Sequence, residues 1–147
     1  MKEIKIRNIF MEGAIPSQKI ADDIQHHSKQ SGIGAHSIFL GQVRADEREG
    51  TAVAAIDYTA YESMALEKMA LIRESLFSKY NLTCMHVHHS LGNVSVGEIC
   101  LFVFVSSVHR KAAIDACEEL VESIKNELPI WGKEIYHNQT TVWKENK

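Results

Sequence analysis

No apolar run in this sequence approaches membrane-spanning length, no CxxC pair occurs, and only 2 prolines punctuate 147 residues. The first absence argues against a transmembrane helix, which needs about 20 consecutive apolar residues. The second removes the commonest zinc and thiol-redox signatures. Cys84, Cys100 and Cys117 stand apart among apolar neighbours, as the buried, reduced thiols of a cytoplasmic protein do. The N-terminal Met1-Lys-Glu-Ile-Lys-Ile lacks the apolar stretch of a secretion signal. GxGxxG, a P-loop, a nucleophile elbow and HExxH are also missing, which removes the usual nucleotide, hydrolase and metalloprotease signatures. A formal charge of −3 gives no global attraction to nucleic acid, so any basic site is local.

What is present is one strong strand-helix unit. Ile99 to Val105 is almost continuously apolar, β-branched and aromatic, the pattern of a strand buried on both faces. Ser106 and Ser107 follow at the switch to a helix, where hydroxyls cap orphan N–H groups. Ala113, Ala116, Cys117, Leu120, Val121, Ile124 and Leu128 then recur at three- and four-residue steps, one apolar helix face. Pro129 closes it.

His109 and Arg110 stand at the start of this helix, where free N–H groups and the helix dipole favour an anion. A guanidinium fork there suits phosphate or carboxylate. A solvated arginine beside a packed histidine fits the same position. Arg110 and Lys125 are fifteen residues apart, roughly 22 Å along one helix. One protomer cannot bring both to one small substrate, so a site that uses both needs a second copy.

The remaining chain predicts further elements. Lys2 to Phe10 alternates as a strand. Pro16-Ser17 opens a short helix with Ile20, Ala21 and Ile24 inward and His26-His27 exposed. Ala35 to Val43 is a strand with a bulge or close approach at Gly41. Arg44 closes it, and a mobile charged loop covers 45–50. Thr51 to Thr59 is a strand. Tyr61 begins a second long helix, with Ala65, Met69, Ile72 and Leu76 on one face, and Asn81 ends it. Thr83 to His89 is a strand with His86 and His88 on one face. Two imidazoles without a third ligand do not make a zinc site, and no metal is expected. Gly92-Asn93 is a turn, Val94 to Val96 is extended, and Gly97 leads into Ile99. Glu134 to His137 and Thr140 to Trp143 form a short hairpin, followed by a polar, loose tail over 144–147. The sum is an α+β fold in one domain, 1–147, its sheet mostly antiparallel, with two long helices and one short one.

Five short motifs, in order, resemble the large, catalytic subunit of molybdopterin synthase. They are Phe39-Leu-Gly41-Gln-Val43-Arg44; Ile56-Asp-Tyr58-Thr-Ala-Tyr61-Glu-Ser-Met64-Ala65; His89-Ser-Leu-Gly92 with Val96-Gly97-Glu98; Ser106-Ser-Val-His109-Arg110; and Leu128-Pro129-Ile130-Trp131-Gly-Lys133-Glu134. The similarity runs from about Gly34 to Trp143. It implies an α/β hammerhead fold and a central homodimer with one small subunit at each end of a heterotetramer. It also implies conversion of cyclic pyranopterin monophosphate (precursor Z) into molybdopterin in molybdenum cofactor biosynthesis. The two sulfurs would arrive as a thiocarboxylate on the C-terminal Gly-Gly tail of a small ubiquitin-like sulfur carrier. No cofactor, membrane or nucleic acid is implied.

By position, the resemblance implies that Arg44, His109 and Arg110 hold the substrate's phosphate and pterin. It places Phe39, Gln42, Val43, Gly132 and Glu134 around the pocket and makes Lys125 and Lys133 catalytic as well as substrate-binding. On residues alone Lys125 is a solvated helix flank. The sequence departs from the family pattern in two places. Relatives carry a lysine directly after the tryptophan, where this chain has Gly132, and Lys133 takes that role only if a bulge at Gly132 turns it inward. Ser90 stands where a basic residue is common and is expected to be peripheral. The runner-up function is a non-catalytic relative that binds a pterin phosphate or a ubiquitin-like tail. A metal-binding protein using His86, His88 and His89 is the third.

Overall fold

The computed structural model describes residues 5–146, so the expected strand from Lys2 lies partly outside them. Residues 5–9 carry no regular structure, and β1 is shorter and later than expected, Phe10–Glu12. The chain continues through α1 (Ser17–His27), β2 (Ala35–Gln42), β3 (Glu47–Arg48), β4 (Thr51–Ala60) and α2 (Glu62–Lys79). It then forms β5 (Cys84–Ser95), β6 (Ile99–Ser107), α3 (Arg110–Glu127), β7 (Ile130–Tyr136) and β8 (Thr141–Trp143). The sheet order is β2-β6-β5-β4-β7-β8, antiparallel at every step; β1 adds in parallel to β5 and β3 pairs with β4. The expected α+β class, with two 18-residue helices and one of 11, is what forms.

β6 is the spine. Leu101, Val103 and Val105 pack with Met69 and Leu76 of α2 and Leu120 and Ile124 of α3. Phe102 and Phe104 face the other way, onto Ile15, just before α1, and Ile20 within it. Alternate side chains of a strand point to opposite faces, so the continuous apolar run supplies two cores at once. On α3, Ala113, Ala116, Cys117, Leu120 and Ile124 are buried as the periodicity requires. Each fully buried aliphatic side chain of leucine size contributes about 1.5–3 kcal/mol.

Several local expectations are corrected. Gly92 is not a hairpin turn but a kink within β5. Cys84 to His89 pair with β6, and Gly92 to Ser95 pair with β4. Gly92 has φ +79, and a Cβ there would lie 2.3 Å from Glu12 Oε1, so only glycine fits the bend. The charged loop 45–50 includes a small hairpin, closed by positive φ at Glu49 and Gly50. β7 starts at Ile130 rather than Glu134, because β4 extends far enough to pair Ala60 with Ile130. Neither serine caps α3: Ser106 Oγ lies 2.7 Å from His36 Nδ1, and Ser107 Oγ donates to the His109 carbonyl. His27 is buried, not exposed, and Ser90, expected at the periphery, is fully buried. No helix among the described residues is long and apolar enough to cross a membrane.

Candidate functional site

A cleft of about 550 Å3 opens between β2, the start of β6, β7–β8 and the C-terminal end of α3. Phe39 and Gln42 reach it from β2, and Ile56 and Tyr58 reach it from β4. Cys100 comes from β6, Lys125 from α3 and Glu134 from β7. Arg44, Arg48, Lys125 and Lys144 line it together with Asp46, Glu134 and Glu145. Four cations thus face three carboxylates, a mixed lining with a small excess of positive charge in a slightly acidic chain. Arg44 is solvent-facing and pairs with Asp46 at 3.3 Å. A screened pair of this kind leaves the guanidinium available to a stronger anion.

A narrower recess of about 70 Å3 joins the cleft at Lys125, Tyr58, Lys144 and Asn146, and ends on His89, Trp131 and Gly132. Lys125 is therefore the wall between the two. It is half-buried, not a solvated flank. Burial lowers its pKa below the usual lysine value; the nearby Cys100 opposes the shift and Lys144 adds to it. The Asn146 amide donates to the Lys125 carbonyl at 2.8 Å, so residues 144–146 run across the mouth.

The neighbouring groups are held neutral. His89 is buried, and desolvation pulls its pKa to about 4, against the carbonyl of Ser90 and with the charge of Lys125. Its Nδ1 lies 2.8 Å from that carbonyl, which only accepts, so Nδ1 carries the proton and Nε2 the lone pair. Tyr58 stacks edge-on to His89 at 5.1 Å, and burial together with Cys100 raises its hydroxyl pKa. A half-buried ammonium beside neutral His89 and Tyr58 is well placed to stabilise developing negative charge on a ligand.

Lys133 does not join this site. The register of β4 with β7 is unbroken from Ile56–Glu134 to Ala60–Ile130, so no bulge exists at Gly132. Gly132 faces the Ile56 and Tyr58 side chains, since a Cβ there would lie 2.9 Å from Ile56 Cγ2. Glu134 shares that face, and Lys133 takes the opposite one. Its ammonium lies 5.6 Å from the centre of the Trp143 ring. Val43 is also outside: it is 1% exposed, within the core beside Val53 and Tyr136. Phe39, Gln42 and Arg44 line the cleft.

His109 and Arg110 line a different, open cavity of about 720 Å3 with Gly34, Val108 and Ile114. Both belong to the N-terminal end of α3, and Lys125 to its other end. The structure therefore keeps the two cationic groups roughly 22 Å apart, as the helical rise requires. Tyr58 and His89 stood within the quoted motifs but were given no role there. Arg48, Cys100, Lys144 and Asn146 are brought in by folding alone.

Fold and cleft together define an α+β protein with a cation-lined cleft against its mostly antiparallel sheet. The chain belongs to the MoaE protein family, whose model matches residues 14–127. The match covers Arg44, His109, Arg110 and Lys125 and stops short of Gly132 and Lys133. A relative from Oryza sativa subsp. indica, named molybdopterin synthase catalytic subunit, is 38% identical over 121 residues, 82% of this chain and 62% of the relative. One named likewise, from Drosophila willistoni, is 39% identical over 118 residues, 79% of this chain and 32% of the relative. The chain thus spans between about a third and two thirds of the length of these curated relatives. Among solved structures, molybdopterin synthase from Staphylococcus aureus superposes with a TM-score of 0.80 at 28% identity, covering 97% of this chain and 100% of that one. A complex of subunits 1 and 2 of molybdopterin-converting factor from Helicobacter pylori gives 0.79 at 20% identity, covering 94% and 90%, a likeness of fold.

Proposed function

We propose that this chain is the catalytic subunit of a molybdopterin synthase. It would move sulfur from the C-terminal thiocarboxylate of a small ubiquitin-like subunit to precursor Z, in the cytoplasm, as a homodimer within a heterotetramer, with residues 1–147 as one domain. The observation that carries this reading is Lys125: a half-buried ammonium, pKa lowered by desolvation, on the wall between a cationic cleft and a narrow recess. The cleft suits an anionic pterin phosphate, with Arg44 and Arg48 at hand. The recess, floored by Gly132, suits an extended glycine tail with no side chains to accommodate. Lys125 would then stand where the two reactants meet and stabilise the negative charge that develops during transfer. His109 and Arg110 of a second copy would complete the anion site. Three free cysteines fit a reducing compartment.

With Lys133 turned onto Trp143, Lys125 carries the chemistry alone, with Lys144 as the other ammonium lining the cleft. The test is turnover. Purified chain is mixed with precursor Z and a thiocarboxylated small subunit, and the pterin products are followed for wild type, Lys125→Ala and Lys133→Ala. Wild type and Lys133→Ala should form molybdopterin at comparable rates, and Lys125→Ala should lose about 10²–10³-fold, the usual effect of removing one stabilising group. An inert wild type beside a competent partner would instead give the lead to a non-catalytic binder, the reading that the missing lysine at Gly132 favours.

A further inference from the structure

α1 lies on the Phe102–Phe104 side of the sheet and sets His27 against two side chains that share one face of β5, Cys84 and His86. His27 Nε2 is 2.8 Å from His86 Nε2. With Cys84 Sγ these donor atoms all lie within 4.8 Å of one another. His27 is 5% exposed. Its Nδ1 is 2.6 Å from the carbonyl oxygen of Asp23, one turn back on α1. A carbonyl only accepts, so Nδ1 keeps the proton and Nε2 presents a lone pair. Metal-bound histidines are oriented in this way, by a second partner on the other nitrogen.

The other two groups suit the same purpose. His86 must donate to His27 in the absence of an ion. It is half-buried, which favours the neutral ring that can ligate a metal. Cys84 is a free thiol approached by the Gln30 side-chain amide at 3.5 Å. The nearby Asp23 carboxylate is shared by Lys19 at 3.1 Å and His88 at 3.5 Å, so it adds little net charge.

We propose that His27, His86 and Cys84 form a binding site for a transition-metal ion of the zinc class, with one coordination position left for water. Two imidazole nitrogens on a tetrahedral zinc are about 3.3 Å apart, given Zn–N bonds of about 2.0–2.1 Å. The rings therefore need to part by only about half an ångström from their present contact. A donor set of two imidazoles and one thiolate favours zinc or cobalt over magnesium or calcium. Binding exchanges the Cys84 thiol proton for the metal and moves the His86 Nε2 proton to Nδ1, so one proton is released per ion. The ion would tie the last turn of α1 to β5. This trio differs from the His86, His88 and His89 grouping that the sequence suggests. His88 stacks on Phe102 at 5.7 Å beside Asp23, and His89 points to the opposite face. None of the three ligands lines the Lys125 cleft, so the site stands apart from the proposed sulfur transfer.

The test uses the untagged full chain, reduced and stripped of metal, titrated with Co2+ and then Zn2+. One Co2+ per chain should bind with a thiolate-to-cobalt charge-transfer absorption, and Zn2+ should displace it and raise Tm. Cys84→Ser should abolish that absorption and weaken Zn2+ binding more than about tenfold, and His86→Gln should weaken it similarly. His88→Gln should leave both unchanged. No stoichiometric binding to the wild type at micromolar metal would overturn the proposal. So would binding that survives Cys84→Ser and His86→Gln, or that is lost on His88→Gln.

Discussion

Replacing Gly132 with alanine probes the packing that turns Lys133 away from the cleft. A Cβ at position 132 would lie 2.9 Å from Ile56 Cγ2 and 3.1 Å from Tyr58 Cε1. Carbon pairs rest at about 3.5–4.0 Å, so something must shift by about half an ångström. Both neighbours are held: Ile56 is 3% and Tyr58 6% exposed, within one apolar cluster. β7 is equally constrained by its continuous pairing with β4. Gly132 does not use a left-handed φ, so alanine would gain about 0.4–1 kcal/mol by restricting the unfolded chain. Overpacking costs about 1–3 kcal/mol, and contact on two sides argues for the upper part of that range. The net is a loss of about 1–2 kcal/mol, or roughly 2–8 °C in Tm for a chain of this size. Urea unfolding would measure it as a lower midpoint at unchanged m. In an Ile56→Ala background Cγ2 is gone, and the same substitution should cost less, a coupling that a double-mutant cycle isolates. Wild-type stability in Gly132→Ala, or an equal loss in both backgrounds, would refute the packing argument.

Three other outcomes are expected. His89 is held neutral with a pKa of about 4 by burial, while an unfolded histidine takes its proton near 6.5. Between those values the unfolded chain binds more protons, so stability should fall as pH drops from about 6.5 toward 4. His89→Gln should flatten that slope in urea midpoints measured against pH, and an unchanged slope would count against a buried neutral ring. Burial also lowers the Lys125 pKa, so Lys125→Met should stabilise the fold at pH 7 even as it removes the ammonium. Its advantage should shrink as pH rises toward about 10.4, where unfolded lysine deprotonates too; a gain independent of pH would contradict this. Finally, assayed well below the wild-type KM, where each variant alone is slow, mixing Arg110→Ala and Lys125→Ala chains should restore up to about a quarter of wild-type turnover, because about half the dimers are mixed and each would hold one intact site. No rescue in verified mixed dimers would exclude sharing.

The spine was legible because its signals are local. Ile99 to Val105 is short, β-branched and aromatic, as a strand buried on two faces is, and the steps from Ala113 to Leu128 trace one helix face. β5 was harder. Gly92 looks like a turn because glycine permits one, yet here the strand bends and changes partner. Which neighbour a strand takes is not written in its own residues. The start of β7 was missed for a related reason: Gly132 suggested a bulge, although its role is to leave room for Ile56 and Tyr58. Once the strand begins at Ile130, simple alternation puts Lys133 on the far face. His27 left no such trace: Ala21 and Ile24, expected to face inward, are exposed, and His27 is the residue of α1 that is buried. Its partners Cys84 and His86 lie far along the chain, and no local pattern joins them.

Lys125 marks the limit of sequence reasoning most clearly, because its own helix gives it only a flank. What buries it are Tyr58, His89 and the segment around Asn146, from three other parts of the chain. Arg110 sits on the same helix, and α3 has its buried face packed along most of its length. No hinge within one chain can close the roughly 22 Å between them. Because the Lys125 cleft already holds Arg44 and Arg48, an Arg110 offered by a second copy would add anion affinity rather than create the site. Arg110→Ala alone should therefore act chiefly on KM, and Lys125→Ala chiefly on kcat. Equal losses in kcat from both would place Arg110 at the reacting atoms and contradict that division.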